Sequence, residues 1–326
     1  MKKILITGTS GFIGKSLSEK LSKSGKHIRG TVRTINSFSK NTDIEYVLVE
    51  DISLKTNWKD ILVDVDCIIH CAGRAHIMNE KKNDTSKIFQ SVNVEGTKQL
   101  AEQASKAEVK RFIFLSSVKV NGECTYNIDN KDISYHQRKK IFSYNDLPNP
   151  QDSYAVSKFE AENALWEISS RTGLEVSILR LPLVYGYGAK GNLANLLKLV
   201  AFRIPLPLRM VKNQRSMIGI DNLVDLLITC VDHPNAAGKN FLVSDGEDLS
   251  TPDFIRYIAN SMGHRARFFP IPFFLLKLLG LIFGKQAEIN RLVGSLKIDS
   301  RYTQKELNWT PPLSVVEGIR RMIQGK

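Results

Sequence analysis

Cysteine is scarce: Cys67, Cys71, Cys124 and Cys230 are the whole complement in 326 residues, and no two form a CxxC pair. A disulfide framework and a zinc site of the usual spacing are therefore not expected, and metal ligands are assigned nowhere. Reduced thiols suit a cytoplasmic protein. No apolar run reaches the 18 residues a spanning helix needs. The nearest approach is FFLLKLLGLIFG, Phe273 to Gly284, which is short and carries Lys277. It is expected to be a buried or site-covering helix rather than a membrane contact. The opening MKKILITGTSGFIG lacks the long apolar core of a secretory leader. Acid is also in deficit, 33 Asp and Glu against 46 Lys and Arg, for a net charge of +13. Basic clusters such as Arg138-Lys139-Lys140 have no interleaved aromatics. The excess is thus read as a solvated surface with a phosphate-bearing small molecule, not as a nucleic-acid footprint. No repeat or low-complexity tract is present.

What is there is alternation. Short apolar segments at Lys3 to Thr7, His27 to Val32, Ile44 to Val49, Cys67 to His70, Arg111 to Leu115 and Glu175 to Leu179 predict strands. Helical patterns at Phe12 to Ser24, Thr85 to Ala107 and Ser153 to Thr172 lie between them. This is the pattern of an α/β fold, a Rossmann doubly wound parallel sheet. From Pro182 the alternation breaks and glycine and proline become frequent, with one return to the sheet at Asn240 to Val243. The division expected is a dinucleotide-binding domain over 1–181, rejoined by about 216–243. A smaller substrate-binding domain then takes 182–215 and 244–326.

Between the first strand and its helix stands Gly8-Thr-Ser-Gly11-Phe-Ile-Gly14. Gly8 permits a tight turn, Gly11 lets the backbone approach a pyrophosphate, and Gly14 lets helix and strand pack closely. The helix N-terminus then offers free N–H groups to the phosphates. An acid at the end of the second strand would bond a ribose 2′-hydroxyl, but Arg33 stands there. A guanidinium suits a 2′-phosphate, which favours NADPH and leaves NAD(H) open. The plain alternative is a solvated surface arginine. Asp51, after the third strand, can bond an adenine edge or serve as an ordinary loop cap.

Tyr154-Ala-Val-Ser-Lys158 sets a phenol and an ammonium at i and i+4 on one helix. A nearby ammonium favours the phenolate, so Lys158 is expected to lower the Tyr154 pKa and to reach the nicotinamide ribose. Ser116 and Ser117 end the fifth strand, where ligands of such sheets bind. A hydroxyl there can steady a substrate oxygen; the alternative is a local turn or cap.

With GTSGFIG, HCAG at 70–73, VNVEGT at 92–97, the Ser-Ser strand end, YAVSK and LRLPLVYG at 179–186, the chain resembles the extended short-chain dehydrogenase/reductases, also called NAD-dependent epimerase/dehydratases. The resemblance implies Ser117, Tyr154 and Lys158 as catalytic residues. For the cofactor it implies Gly8, Ser10, Gly11, Phe12, Ile13, Gly14, Arg33, Asp51, Ile52, Cys71, Ala72, Gly73, Asn93 and Pro182, together with Tyr154 and Lys158. For a UDP-sugar it implies Ser117, Val118, Asn192, Leu193, Leu206 in a strand Ile204 to Leu208, and Arg215 on the diphosphate. Dehydratases of the family carry an Asp-Glu pair where this chain has Val118 and Lys119, which argues against dehydration. Epimerases and dehydratases commonly carry Asn where this chain has Leu183. HCAGRAHIMNE, SSVKVNGE, NPQDSYAVSK and FLVSDGEDLST resemble bacterial surface-polysaccharide enzymes. Among these are reductases of UDP-4-keto-6-deoxy-N-acetylhexosamine, often labelled UDP-glucose 4-epimerases. The resemblance thus implies reduction at C4, with a UDP-hexose 4-epimerase as the alternative and a non-catalytic NADP-binding regulator as another. It also implies a homodimer through the helices at 85–107 and 153–172.

Overall fold

The computed structural model describes residues 2–34, 43–75, 82–125, 141–282 and 284–325. The Arg138–Lys140 cluster and positions 76–80 of the HCAGRAHIMNE run lie outside them. Seven strands form one parallel sheet. They are β1 (Lys3–Thr7), β2 (His27–Val32), β3 (Ile44–Leu48), β4 (Cys67–His70), β5 (Arg111–Ser117), β6 (Glu175–Leu181) and β9 (Lys239–Leu242). Their order is β3-β2-β1-β4-β5-β6-β9. The chain thus starts in the middle, builds outward to one edge, then returns to build the other. The strand order reverses between β1 and β4, and their carboxyl ends leave the crevice where such sheets bind nucleotides.

Both faces of this sheet are covered, so its strands are apolar almost throughout. Alternation of side chains sorts them between two cores. Ile4, Ile6, Ile69 and Ile113 point to one face, onto Leu17 and Leu21 of α1 (Phe12–Ser22) and Leu223 and Leu227 of a later helix, Ile220–Asp232. Leu5, Ile68, Phe112 and Phe114 point to the other, onto Leu100 of Gly96–Lys106 and Leu165 of α4 (Ser153–Thr172).

The helix expected over 85–107 is not one rod. It comprises α2 (Lys82–Phe89), a wider π-helical stretch Gln90–Glu95, and α3 (Gly96–Lys106). The close approach of α3 to the Ile52 loop explains Gly96, since a Cβ there would lie 2.6 Å from Ile52 Cγ2. α4 ends where it does for local reasons. The Asp152 carboxylate caps it by accepting from Ala155 N at 2.7 Å, and Gly173 closes it at φ 77°.

Beyond β6 lie β7 (Leu183–Tyr185), α5 (Asn192–Ala201), β8 (Met217–Gly219), α6 (Ile220–Asp232), α7 (Thr251–Ser261), α8 (Phe273–Ile282), α9 (Gln286–Val293), α10 (Arg301–Leu307) and α11 (Val315–Gln324). β7 and β8 pair in parallel as a separate ribbon. A third core, with Tyr185, Leu193, Leu206, Phe254, Ile258 and Ile319, packs α5, α7 and α11 together. Two expectations are corrected here. Ile204 to Leu208 is not a strand; its prolines leave a single bridge, Leu206 to Phe268. Nor is α8 buried: Phe274, Leu278, Leu281 and Ile282 are exposed, because only one side of this helix meets α9.

Candidate active site

The glycine loop leaves β1 by a left-handed turn at Gly8, φ 71°, a conformation that glycine adopts at no cost. It then folds tightly under the start of α1. A Cβ at Gly14 would fall 2.3 Å from the Gly8 carbonyl oxygen, so no other residue fits there. The result is a bare main-chain cradle at the N-terminus of an eleven-residue helix. Gly8, Ser10 and Gly11 line one wall of a cleft of about 290 Å³. Arg33, Asp51 and Ile52 line another, and Cys71, Ala72 and Gly73 a third. The expected cofactor positions on three separate strand ends thus converge on one space, and the cradle fits a dinucleotide phosphate. Phe12 and Ile13 pack against the core beneath. Arg33 is exposed at the rim, with Glu50 and Asp51 across from it.

Asn93 connects this cleft to α4. It sits buried in the π-helical stretch, where its Oδ1 accepts from Arg74 N at 2.8 Å. Its Nδ2 donates to Arg74 O and to Ser157 Oγ, each at 3.0 Å. A Cβ at Gly73 would stand 3.2 Å from Asn93 Oδ1 and 3.4 Å from Lys158 Nζ. The Lys158 amine therefore lies behind Gly73 of the cleft wall.

The Ser117 hydroxyl lies close enough to the Tyr154 phenol to act on its ionisation. The first residue ends β5 and the second lies in the first turn of α4. Desolvation pushes the Tyr154 phenol up to about 12; the Asp152 carboxylate adds to this and the Ser117 hydroxyl opposes it. The expected effect of Lys158 on that phenol is not among these influences. Its Nζ instead donates to Leu115 O at 2.9 Å and lies 4.4 Å from the Phe114 ring centre. Burial pushes the amine down to about 8, against the Glu162 carboxylate one turn along the helix. Ser117 pairs in register with Leu181, so Pro182 and the exposed Leu183 follow directly at the same sheet end.

Below the serines lies a buried ionic network. Ser116 Oγ donates to Glu162 Oε1 at 2.5 Å, and Arg180 holds Glu162 with bonds of 2.6 to 3.2 Å. Lys119 bonds Asp152 and, at 2.8 Å, Glu123. Where dehydratases carry acids, this chain has a cation already engaged.

The expected substrate positions divide. Val118 is packed against Phe142, Leu242, Leu296 and Ile298, and Leu193 and Leu206 are in the third core. Only their main chains remain for a ligand. Asn192 is exposed at the start of α5. Arg215 is half-buried, its guanidinium donating to Arg291 O at 2.7 Å and Gly294 O at 3.0 Å. Desolvation and the neighbouring Arg291 charge both disfavour its cation. The Arg291 side chain, itself exposed, is near enough for its charge to act on Arg215. Arg291 is absent from the sequence reading, because nothing local marks it; only α9 brings it back to Arg215. Among the described residues no group of three or more His, Cys, Asp or Glu stands ready to hold a metal.

The model of the NAD dependent epimerase/dehydratase family matches residues 4–244. The chain belongs to that family. Over 325 residues this member is 39% identical to a UDP-glucose 4-epimerase of Vibrio cholerae, covering 99% of this chain and 95% of that one. It is 22% identical to an N-acetyl-α-D-glucosaminyl-diphospho-undecaprenol 4-epimerase of Escherichia coli O157:H7, covering 98% and 94%. The fold also matches that of UDP-glucuronic acid 4-epimerase from Bacillus cereus, solved with UDP-glucuronic acid and NAD. That match has a TM-score of 0.77 at 22% identity, over 99% and 98% of the two chains.

Proposed function

We propose that this family member is an oxidoreductase acting at C4 of a UDP-linked hexose. The observation that carries the reading is Ser117 and Tyr154 brought together beside a dinucleotide cleft, with the Lys158 amine behind Gly73 of its wall. A reduced nicotinamide bound in that cleft supplies hydride to a C4 ketone. Tyr154 donates the proton to the oxygen, and Ser117 orients that oxygen by hydrogen bonding. Lys158 is placed to bond the ribose once its contact with Leu115 is exchanged. Arg215 and Arg291 hold the diphosphate.

The finer assignment is reduction of a UDP-2-acetamido-2,6-dideoxy-4-hexulose with NADPH. Arg33 at the cleft rim supports the 2′-phosphate. Leu183, 44% exposed beside the Ser117 strand end, offers an apolar contact where a 6-deoxy sugar has its methyl group. The second reading is a UDP-hexose 4-epimerase holding NAD through each cycle. The name of the 39% identical relative favours it. A homodimer through the segments 85–107 and 153–172 belongs to the same proposal. Purified protein offered NADPH with the 4-keto sugar, followed at 340 nm, separates the readings from UDP-glucose offered without added cofactor. Conversion of the latter to its galacto epimer supports the epimerase.

A further inference from the structure

Helix α8 carries a bare apolar face. One side is packed: Leu276 is buried, and Gly280 admits α9 so closely that a Cβ there would lie 2.8 Å from Ile289 Cδ1. The other side faces solvent, with Phe274 72%, Leu281 and Ile282 64% and Leu278 47% exposed. The chain leading to α8 runs beside residues 202–210, since Leu206 N donates to Arg267 O at 2.9 Å and Phe269 N to Leu206 O at 3.0 Å. That second stretch adds Phe202 at 78% and Met210 at 57%. Single exposed apolar residues are ordinary, but two adjoining stretches of them mark a docking surface.

The charge within these stretches of chain is one-sided. Residues 192–210 and 263–292 carry eight lysines and arginines and one acid, Glu288. A second copy of this face would set like charge against like, whereas an anionic lipid surface complements it. At 1.5 Å per residue, the ten residues of α8 extend about 15 Å, roughly half a bilayer core. Among the described residues, no helix is long and apolar enough to cross a membrane. We propose that α8 and the adjoining 202–210 stretch dock this protein onto an anionic bilayer, with α8 lying in the plane of the interface. Phe274, Leu281 and Ile282 enter the acyl boundary, while Arg265, Arg267 and Lys285 meet the headgroups. Because α9 carries Arg291, docking holds the candidate diphosphate site close to the lipid surface.

The test is co-sedimentation of the full chain with vesicles of phosphatidylcholine alone or with added phosphatidylglycerol. The wild type is expected to sediment with the anionic vesicles and to be released by salt. L281S/I282S should weaken the partition at least about tenfold. K285E should weaken it more than about fivefold, since each cation near the surface contributes about that factor. An unchanged melting temperature and unchanged NADPH binding show that the variants are folded. The proposal is overturned if the wild type stays in the supernatant with anionic vesicles, or if the folded L281S/I282S variant sediments as well as wild type. It is overturned equally if neither binds vesicles while sedimentation velocity shows a wild-type oligomer that this variant breaks. That result would assign the face to a second copy.

Discussion

The amine of Lys158 donates to the main-chain carbonyl of Leu115 at 2.9 Å, two residues before Ser117 on the same strand. The contact ties α4 to the end of β5, where Tyr154 and Ser117 come together. It also leaves the phenol under the influence of burial and Asp152, which push it up to about 12. In this state Tyr154 is a neutral proton donor, the form that reduction of a ketone requires. Its partner amine is pushed down to about 8 by burial and is engaged with Leu115.

Tyr154→Phe should therefore abolish most turnover while leaving NADPH binding near that of the wild type. Loss of a positioned general acid corresponds to roughly 100- to 10,000-fold in rate. Fluorescence titration with NADPH beside a rate assay checks both halves. A variant within threefold of wild-type turnover removes Tyr154 from the chemistry.

Arg33→Asp should weaken NADPH and spare or improve NADH. The guanidinium lines the cleft at the end of β2, and the substitution places a carboxylate where a 2′-hydroxyl can be bonded. Dissociation constants for both dinucleotides are the measurement. The idea fails if the wild type already prefers NADH.

Arg215→Ala and Arg291→Gln should each raise the KM for the UDP-sugar far more than they change NADPH affinity. A charge-assisted bond to phosphate is worth about 1.5–3 kcal/mol, or roughly 10- to 150-fold. Arg291→Gln is the cleaner of the two, because its side chain is exposed, whereas Arg215 also braces the carbonyls of Arg291 and Gly294. Equal losses for both ligands would place the pair elsewhere.

His70 makes stability depend on acid. Its ring is buried between Thr7 and Thr97, at 2.7 and 3.1 Å, and desolvation first, then the Lys158 charge, lower its pKa to about 3. An unfolded histidine near 6.5 takes up a proton that the folded one refuses. The stabilisation is thus complete above about pH 6.5 and lost progressively as pH falls toward 3. By pH 5 the loss is about 2 kcal/mol. Urea unfolding of wild type and His70→Asn at pH 7.5, 6 and 5 should show the smaller pH dependence in the variant. Parallel curves would contradict the assignment.

The sheet was largely legible because burial on both faces leaves its strands as short apolar runs, CIIH and RFIFL among them. α4 was legible to the residue, since Asp152 and Gly173 are local start and stop signals. The π-helical stretch was not, because nothing in QSVNVE breaks a helical period; within it Asn93 bonds both Arg74 and Ser157. The glycine loop, Ser117, Tyr154 and Lys158 stand out through order and spacing. Arg291 and the Glu162–Arg180 pair do not, as each acquires its partner only through tertiary packing. The same limit applied to Leu193 and Leu206, whose side chains proved to be core, and to α8, whose exposure depends on what α9 leaves uncovered.

The most direct measurement mixes purified protein with NADPH and a UDP-2-acetamido-2,6-dideoxy-4-hexulose and follows absorbance at 340 nm, with the product sugar analysed afterwards. The account predicts NADPH consumption equal to the 4-hydroxy sugar formed, and none with Tyr154→Phe. Stable absorbance with that substrate, together with interconversion of UDP-glucose and its galacto epimer on a retained NAD, would contradict reduction and make the protein an epimerase.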